Sequence, residues 1–112
     1  MLFEDRERAE EARYARREEL TFRIKARRNK LLATWAATKM GKTVAATRQY
    51  AREFAVREMT ERPDDAVIAR LSADLLADGI VIPEAEIRHH LDRFAASSVK
   101  AYKTGTTRIR KR

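Results

Sequence analysis

The sequence contains no cysteine, and only three glycines and two prolines occur among its 112 residues. The lack of cysteine excludes disulfide frameworks and Cys-based zinc sites, and it fits a reducing compartment. So little Gly and Pro leaves few turns, which argues against a fold of many short strands. Apolar runs are far shorter than the roughly 20 residues that cross a bilayer. Because Met1–Asp5 shows no basic and apolar signal pattern, we expect no secretory leader and a cytoplasmic protein.

Charge is what the sequence has in quantity. Lys and Arg number 25 against 17 Asp and Glu, for a formal net charge of +8. Residues 4–19 carry seven acids and five bases, residues 23–30 carry five bases and no acid, and residues 100–112 carry six bases and no acid. Most of the positive excess therefore lies in one short block and the C-terminal segment, not on a formed nucleic-acid-binding face.

Turn signals predict an all-α fold of four helices. Pro63 precedes Asp64, a good N-cap, and Pro83 suits the first turn of a helix. Three glycines each follow an apolar periodic stretch, where a helix C-terminus favours glycine: Gly41, Gly79 and Gly105. The predicted helices lie near residues 4–40, 43–60, 64–78 and 83–103, and we expect them to pack as a four-helix bundle.

Helical periodicity also predicts which side of each helix faces the core. Ile80 and Ile82 are expected to close one end of that core, and Arg27–Lys30 to form the charged face of the first helix. The predicted core positions are Leu20, Ile24, Leu31 and Trp35, then Thr47, Tyr50, Ala51 and Phe54, then Val67, Ile68, Leu71 and Leu75, and finally Ile87, Leu91, Phe94, Ser98 and Tyr102.

The first 19 residues have high helix propensity but no continuous apolar stripe. They bury too little to offset the entropy of docking on the chain's own core. Two interpretations follow. The segment is nascent helix or disorder that becomes helical on a partner, or it is a solvated extension of the first helix, which composition alone favours.

Catalytic and cofactor motifs are missing from the sequence. The two histidines, His89 and His90, are adjacent and cannot share a metal as an i, i+4 pair would. Gly41-Lys42-Thr43 resembles the end of a phosphate-binding loop, but Ala36 stands where the first glycine is needed and a helix precedes it. A weak contact between Lys42 and a nucleotide stays an alternative. We expect no cofactor, no metal and no enzyme activity, and keep a small basic nucleic-acid-binding protein as the alternative function.

Several stretches resemble the zeta subunit of alphaproteobacterial F-type ATP synthases, a natural inhibitor of ATP hydrolysis. The most specific block is Ala26-Arg27-Arg28-Asn29-Lys30-Leu31-Leu32 followed by Trp35-Ala36-Ala37. The resemblance covers roughly residues 3–96 and departs at His89-His90 and in the basic tail after Ser98. Its other stretches are Phe3–Ala9, Glu11–Tyr14, Glu19–Phe22, Met40–Gly41, Tyr50–Glu53 and Ile80–Arg88.

The resemblance implies three parts. Residues 1–19 form a mobile inhibitory segment, which becomes helical as it enters the catalytic head at an α/β interface beside γ and blocks rotation. Residues 20–103 form a four-helix bundle, and residues 104–112 form a flexible basic tail. The implied partners are the α, β and γ subunits of the head, with no membrane insertion, no nucleic acid and a monomeric free protein. The implied location is the bacterial cytoplasm, on the membrane-bound synthase through its head.

Within the implied inhibitory segment, apolar anchors combine with charges of both signs and with alanines small enough for close approach. The anchors are Leu2, Phe3 and Tyr14. The full predicted partner-binding set is Leu2, Phe3, Asp5, Arg6, Glu7, Arg8, Ala9, Glu11, Ala12, Arg13 and Tyr14.

Overall fold

The computed structural model describes the backbone of residues 2–110 and the side chains of residues 2–103. Every regular element in this part of the chain is a helix, so the predicted all-α class is confirmed. There are five helices rather than four: α1 (Phe3–Lys39), α2 (Val44–Ala55), α3 (Arg57–Thr60), α4 (Asp64–Ala77) and α5 (Glu84–Arg110). The part of α1 after residue 19 shares one apolar core with the other four helices. We call residues 20–103 the helical body.

Two of the three glycine-based helix ends are confirmed. Gly41 and Gly79 adopt positive φ angles of 74° and 79°, which glycine reaches without a steric penalty. Each lets the next amide turn back into the helix, so that Lys42 N–H donates to the Ala37 carbonyl at 3.1 Å. The third expected end is wrong, because α5 continues past Gly105 to Arg110. A helix tolerates an interior glycine at a cost of only about 1 kcal/mol.

The second predicted helix is interrupted at Val56. This residue has an extended backbone, with φ −68° and ψ 155°, and it separates α2 from the one-turn α3. In an unbroken helix Met59 would point about 140° away from Phe54. The break redirects the chain so that Met59 and Thr60 are buried with Phe54. No Gly or Pro marks the break at Val56. The break is stabilised by the packing of the buried residues after it against distant helices.

The core face of α1 also differs from the prediction. The fully buried apolar positions are three alanines and one leucine: Leu32, Ala33, Ala36 and Ala37. Leu20 is 46% exposed, while Ile24, Leu31 and Trp35 are half-buried at the edges. Small residues at the centre let the neighbouring backbones approach, and the larger side chains then pack on either side. The predicted α4 face is confirmed in full, and Ile80 and Ile82 pack against the core as expected.

Two residues assigned to the charged face of α1, Arg28 and Asn29, are buried instead. The Arg28 guanidinium donates from Nε and Nη2 to Asn29 Oδ1 at 3.1 and 2.9 Å, and from Nη1 to Asp64 Oδ1 at 2.9 Å. Asp64, predicted as an N-cap, is instead the first residue of α4 and the ion-pair partner of Arg28. Pro63 occupies the cap position. The pair ties α1 to the start of α4.

We predict that Asp64→Ala destabilises the protein far more than Asp65→Ala does. Removing one member of a fully buried ion pair costs about 3–5 kcal/mol because the other charge stays buried. The Asp64 side chain is 43% exposed, so a loss of about 2 kcal/mol is expected. Asp65, 86% exposed, should lose less than about 0.5 kcal/mol. Urea denaturation measures both, and equal losses would contradict the role of Arg28.

Trp35→Ala should lower the free energy of unfolding by about 2–3 kcal/mol, somewhat less than the loss for a fully buried Trp. The indole packs against the core and stacks on His90 with ring centroids 4.3 Å apart. Leu20→Ala, on the same helix but largely exposed, is the control and should cost less than about 1 kcal/mol. A Trp35 variant with an unchanged denaturation midpoint would show that this stack contributes nothing.

Candidate partner-binding segment

The predicted partner-binding residues lie on the first turns of α1, beyond the helical body. We call residues 3–19 the arm; Leu2 occupies the cap position before it. Every arm side chain is exposed except that of Ala9, which is half-buried, and Phe3 and Tyr14 are 66% and 57% exposed. The arm is therefore a helix about 25 Å long that no part of the body covers. Its mobility in the free protein stays a prediction.

Local interactions hold the arm in a helix. Glu4 and Asp5 lie in the first turn, where negative charge is favoured by the helix dipole. Arg8 pairs with Asp5 at 2.8 Å, and the Tyr14 hydroxyl donates to Glu18 at 2.6 Å. Such pairs contribute only about 0.2–0.5 kcal/mol each. Without tertiary burial a helix this short is marginal, so we expect it to open before the body does.

The arm carries two chemically different faces. At 100° per residue, four of its six glutamates and its two aromatic side chains share an arc of about 100°, and three arginines cluster about 110° round the helix from the middle of that arc. We call these the acidic–aromatic face (Phe3, Glu4, Glu7, Glu11, Tyr14 and Glu18) and the arginine face (Arg6, Arg13 and Arg17). Hydrogen bonding to the Glu18 carboxylate raises the pKa of the Tyr14 hydroxyl, so this group stays a donor at neutral pH.

The acidic–aromatic face continues the buried face of α1. Steps of three, four or seven residues lead from Glu11 through Tyr14, Glu18 and Lys25 to Leu32 in the core. Beyond the body, the side of α1 that would meet another helix therefore has none against it. The helical spacing of the charged residues predicts this face. Apolar periodicity does not, because it leaves out charged residues such as Glu4 and Glu18.

At the base of the arm, α3 is fastened to α1 through Arg57. Its guanidinium lies 3.9 Å from the centroid of the Phe22 ring, where cation–π attraction is effective. The same group is 3.1 Å from Glu61 and 4.0 Å from Glu19. No local pattern predicts the contacts of Arg57 with Phe22 and Glu19, because they depend on the break at Val56.

The other candidates from the sequence have structural roles in the described residues. His89 is exposed, and His90 stacks on Trp35. Burial, followed by the charge of Arg93, lowers the pKa of His90. Thr43 caps α2, its hydroxyl accepting from the Ala46 amide at 3.1 Å, as expected for a helix boundary rather than a phosphate loop.

Lys42 lies in a groove between α1 and α2. The groove is lined by four basic side chains and three threonines, and no carboxylate occurs among its described lining residues. The basic residues are Lys30, Lys42, Arg48 and Arg52. This is the feature that most favours the alternative of a polyanion-binding protein.

Within residues 2–103, no group of three His, Asp or Glu side chains could hold a metal, and no described helix is apolar enough to span a membrane.

The candidate site is an exposed helical arm with two chemically different faces on a helical body. The family model described as ATPase inhibitor subunit zeta matches residues 1–101, and the chain belongs to that family. The match covers the whole arm and nearly all of the described body, and it confirms the resemblance seen in the sequence. No curated protein and no solved structure matches the chain.

Proposed function

We propose that this protein inhibits the F-type ATP synthase by inserting its arm into the catalytic head, at an α/β interface beside γ, and so blocks rotation and ATP hydrolysis. The observation that carries the proposal is the arm itself. It is an exposed helix with two aromatic anchors. The chain belongs to a family of ATPase inhibitor subunits, and the match to that family begins at residue 1 and so includes the arm. Residues 1–19 act as the inhibitory segment, and the helical body stays outside the cleft.

The chemistry of the arm suits a cleft between two subunits. Phe3 and Tyr14 are eleven residues apart, about 16 Å along the helix, and each offers a large side chain to a pocket. Ala9 and Ala12 allow close approach of the cleft walls. The acidic–aromatic face pairs with a cationic wall, and the arginine face pairs with an anionic one. A helix wedged in this way prevents the interface from changing shape as γ turns.

The same proposal accounts for a helix that is only marginally stable alone. Ordering the arm at the moment of binding costs part of the interaction energy, and it lets a thin segment enter a confined cleft before it becomes rigid. The partners are the α, β and γ subunits, and the free protein is a monomer. The protein acts in the bacterial cytoplasm, where it is held on the membrane-bound synthase through the head.

The direct test is steady-state ATP hydrolysis by the purified cognate head with increasing amounts of the full-length protein. A saturable loss of hydrolysis is expected, and unchanged hydrolysis would overturn the proposal. The alternative, nucleic-acid binding, is motivated by the net charge of +8 and the basic groove. Immobilised protein should retain head subunits rather than nucleic acid from a lysate at about 150 mM salt, where weak phosphate contacts are reduced.

Deleting residues 1–19 should abolish inhibition and leave the body folded. The side chains of residues 2–19 bury almost nothing, while the hydrophobic core cluster begins at Leu32. Circular dichroism should show a cooperative melt in the truncated protein, alongside hydrolysis at the rate of the uninhibited head. If the truncated protein loses its melting transition, the separation between inhibitory segment and body is wrong.

Phe3→Ala and Tyr14→Ala should each weaken inhibition strongly while the melting temperature changes little. Truncating an aromatic interface anchor commonly costs about 2 kcal/mol or more, roughly thirty-fold in affinity. Leu76→Ala is the matched control, since Leu76 is equally exposed but lies on α4. Arg8→Ala should alter mainly the association rate and its salt dependence. Titrations of hydrolysis measure each variant, and wild-type potency in both aromatic variants would mean that charge alone holds the arm.

A further inference from the structure

A groove of about 630 Å³ opens where the arm leaves the body, between the inner side of α1 and α3. We propose that this groove is a second docking surface, which receives the part of the catalytic head that borders the cleft entered by the arm. This inference rests on the proposed function and extends it from the arm to the body. The residues on which the argument depends are Tyr14, Glu18, Thr21, Phe22, Lys25 and Arg57.

The groove is continuous with the surface assigned to the cleft. Tyr14 and Glu18 belong both to the acidic–aromatic face and to the groove wall. From Tyr14 to Thr21 the helix rises only about 10 Å. A subunit that lies against Tyr14 can therefore contact the groove along one continuous surface. The arm and α3 are the two walls of this groove, and we call the angle between them the corner.

The α3 side of the corner is held in place before any partner arrives. Arg57 holds α3 against the base of the arm through Phe22, at 3.9 Å from the ring centroid, and it is also within 4.0 Å of Glu19. Since these surface contacts are made within the chain itself, little further ordering of α3 is needed when the groove is filled. Preorganisation of this kind raises affinity by lowering the entropic cost of binding.

The lining defines the chemistry of the occupant. Three cationic and three anionic side chains surround the half-buried Phe22, so a polyanion gains no net attraction there. Thr60, at the same groove, is fully buried, and its hydroxyl finds no hydrogen-bond partner within the described residues. The fitting occupant is a protein element with one apolar side chain for Phe22, flanked by polar groups of both signs. The charged residues are Arg17, Lys25, Arg57, Glu18, Glu19 and Glu61.

The test fills the groove with a side chain. Thr21→Trp places a bulky ring in it from an exposed position outside residues 1–19. Leu20→Trp is the control, because it adds the same ring at the same level on a side of α1 that does not line the groove. In titrations of hydrolysis by the cognate head, Thr21→Trp should raise the half-inhibitory concentration about tenfold, as expected when an interface contact is blocked. Leu20→Trp should stay within about twofold of the wild type.

The outcomes separate this inference from the proposed function. If full-length protein inhibits, the 1–19 deletion does not, and Thr21→Trp equals the wild type, the groove is not a docking surface although the proposed function stands. If the wild type never inhibits, the proposed function fails first. Thermal melts check that both tryptophan variants are folded, and Thr21→Arg replaces Thr21→Trp if the latter melts early. A wild-type dimer in sedimentation equilibrium that Thr21→Trp dissociates would make the occupant a second copy and overturn the inference.

Discussion

Close packing through alanine joins α1 to its neighbours and determines how the other helices are arranged around it. All four other helices contact this single 37-residue helix, most extensively α2 and α5. Ala33, Ala36 and Ala37 are completely buried, and their small side chains bring the backbones close enough for larger side chains to interlock around them. Because α1 runs without a break into the arm, this packing also determines the direction in which the arm leaves the body.

That continuity gives the arm its two faces. The residues that would meet a neighbouring helix, had the body been longer, are glutamates and aromatics with nothing against them. A helix that is buried over one half and uncovered over the other joins a stable anchor to an element of marginal stability. Binding can then order the arm without any cost in the stability of the body. Arg57 stands at the junction, where it links the one-turn α3 to the last exposed turns before the core.

The sequence predicted most where the structure depends on local signals. Gly41 and Gly79 end helices as expected, and the α4 face from Val67 to Leu75 follows from periodicity alone. The failures share a different cause. The alanine face of α1, the break at Val56 and the burial of Arg28 are decided by contacts between distant helices, which large apolar residues and turn signals do not report. For the candidate site, composition predicted that the arm buries little and the family resemblance suggested its role, whereas the Arg57–Phe22 contact could be seen only in the fold.

We propose that the arm, and not the basic groove between α1 and α2, contacts the catalytic head. A photo-crosslinking amino acid placed at position 14, or at position 48 in that groove, tests it in the complex with the purified head. Position 14 is expected to become linked to the α and β subunits under light, whereas position 48 is expected to give no subunit adduct. Crosslinks to the head from position 48 alone would contradict it.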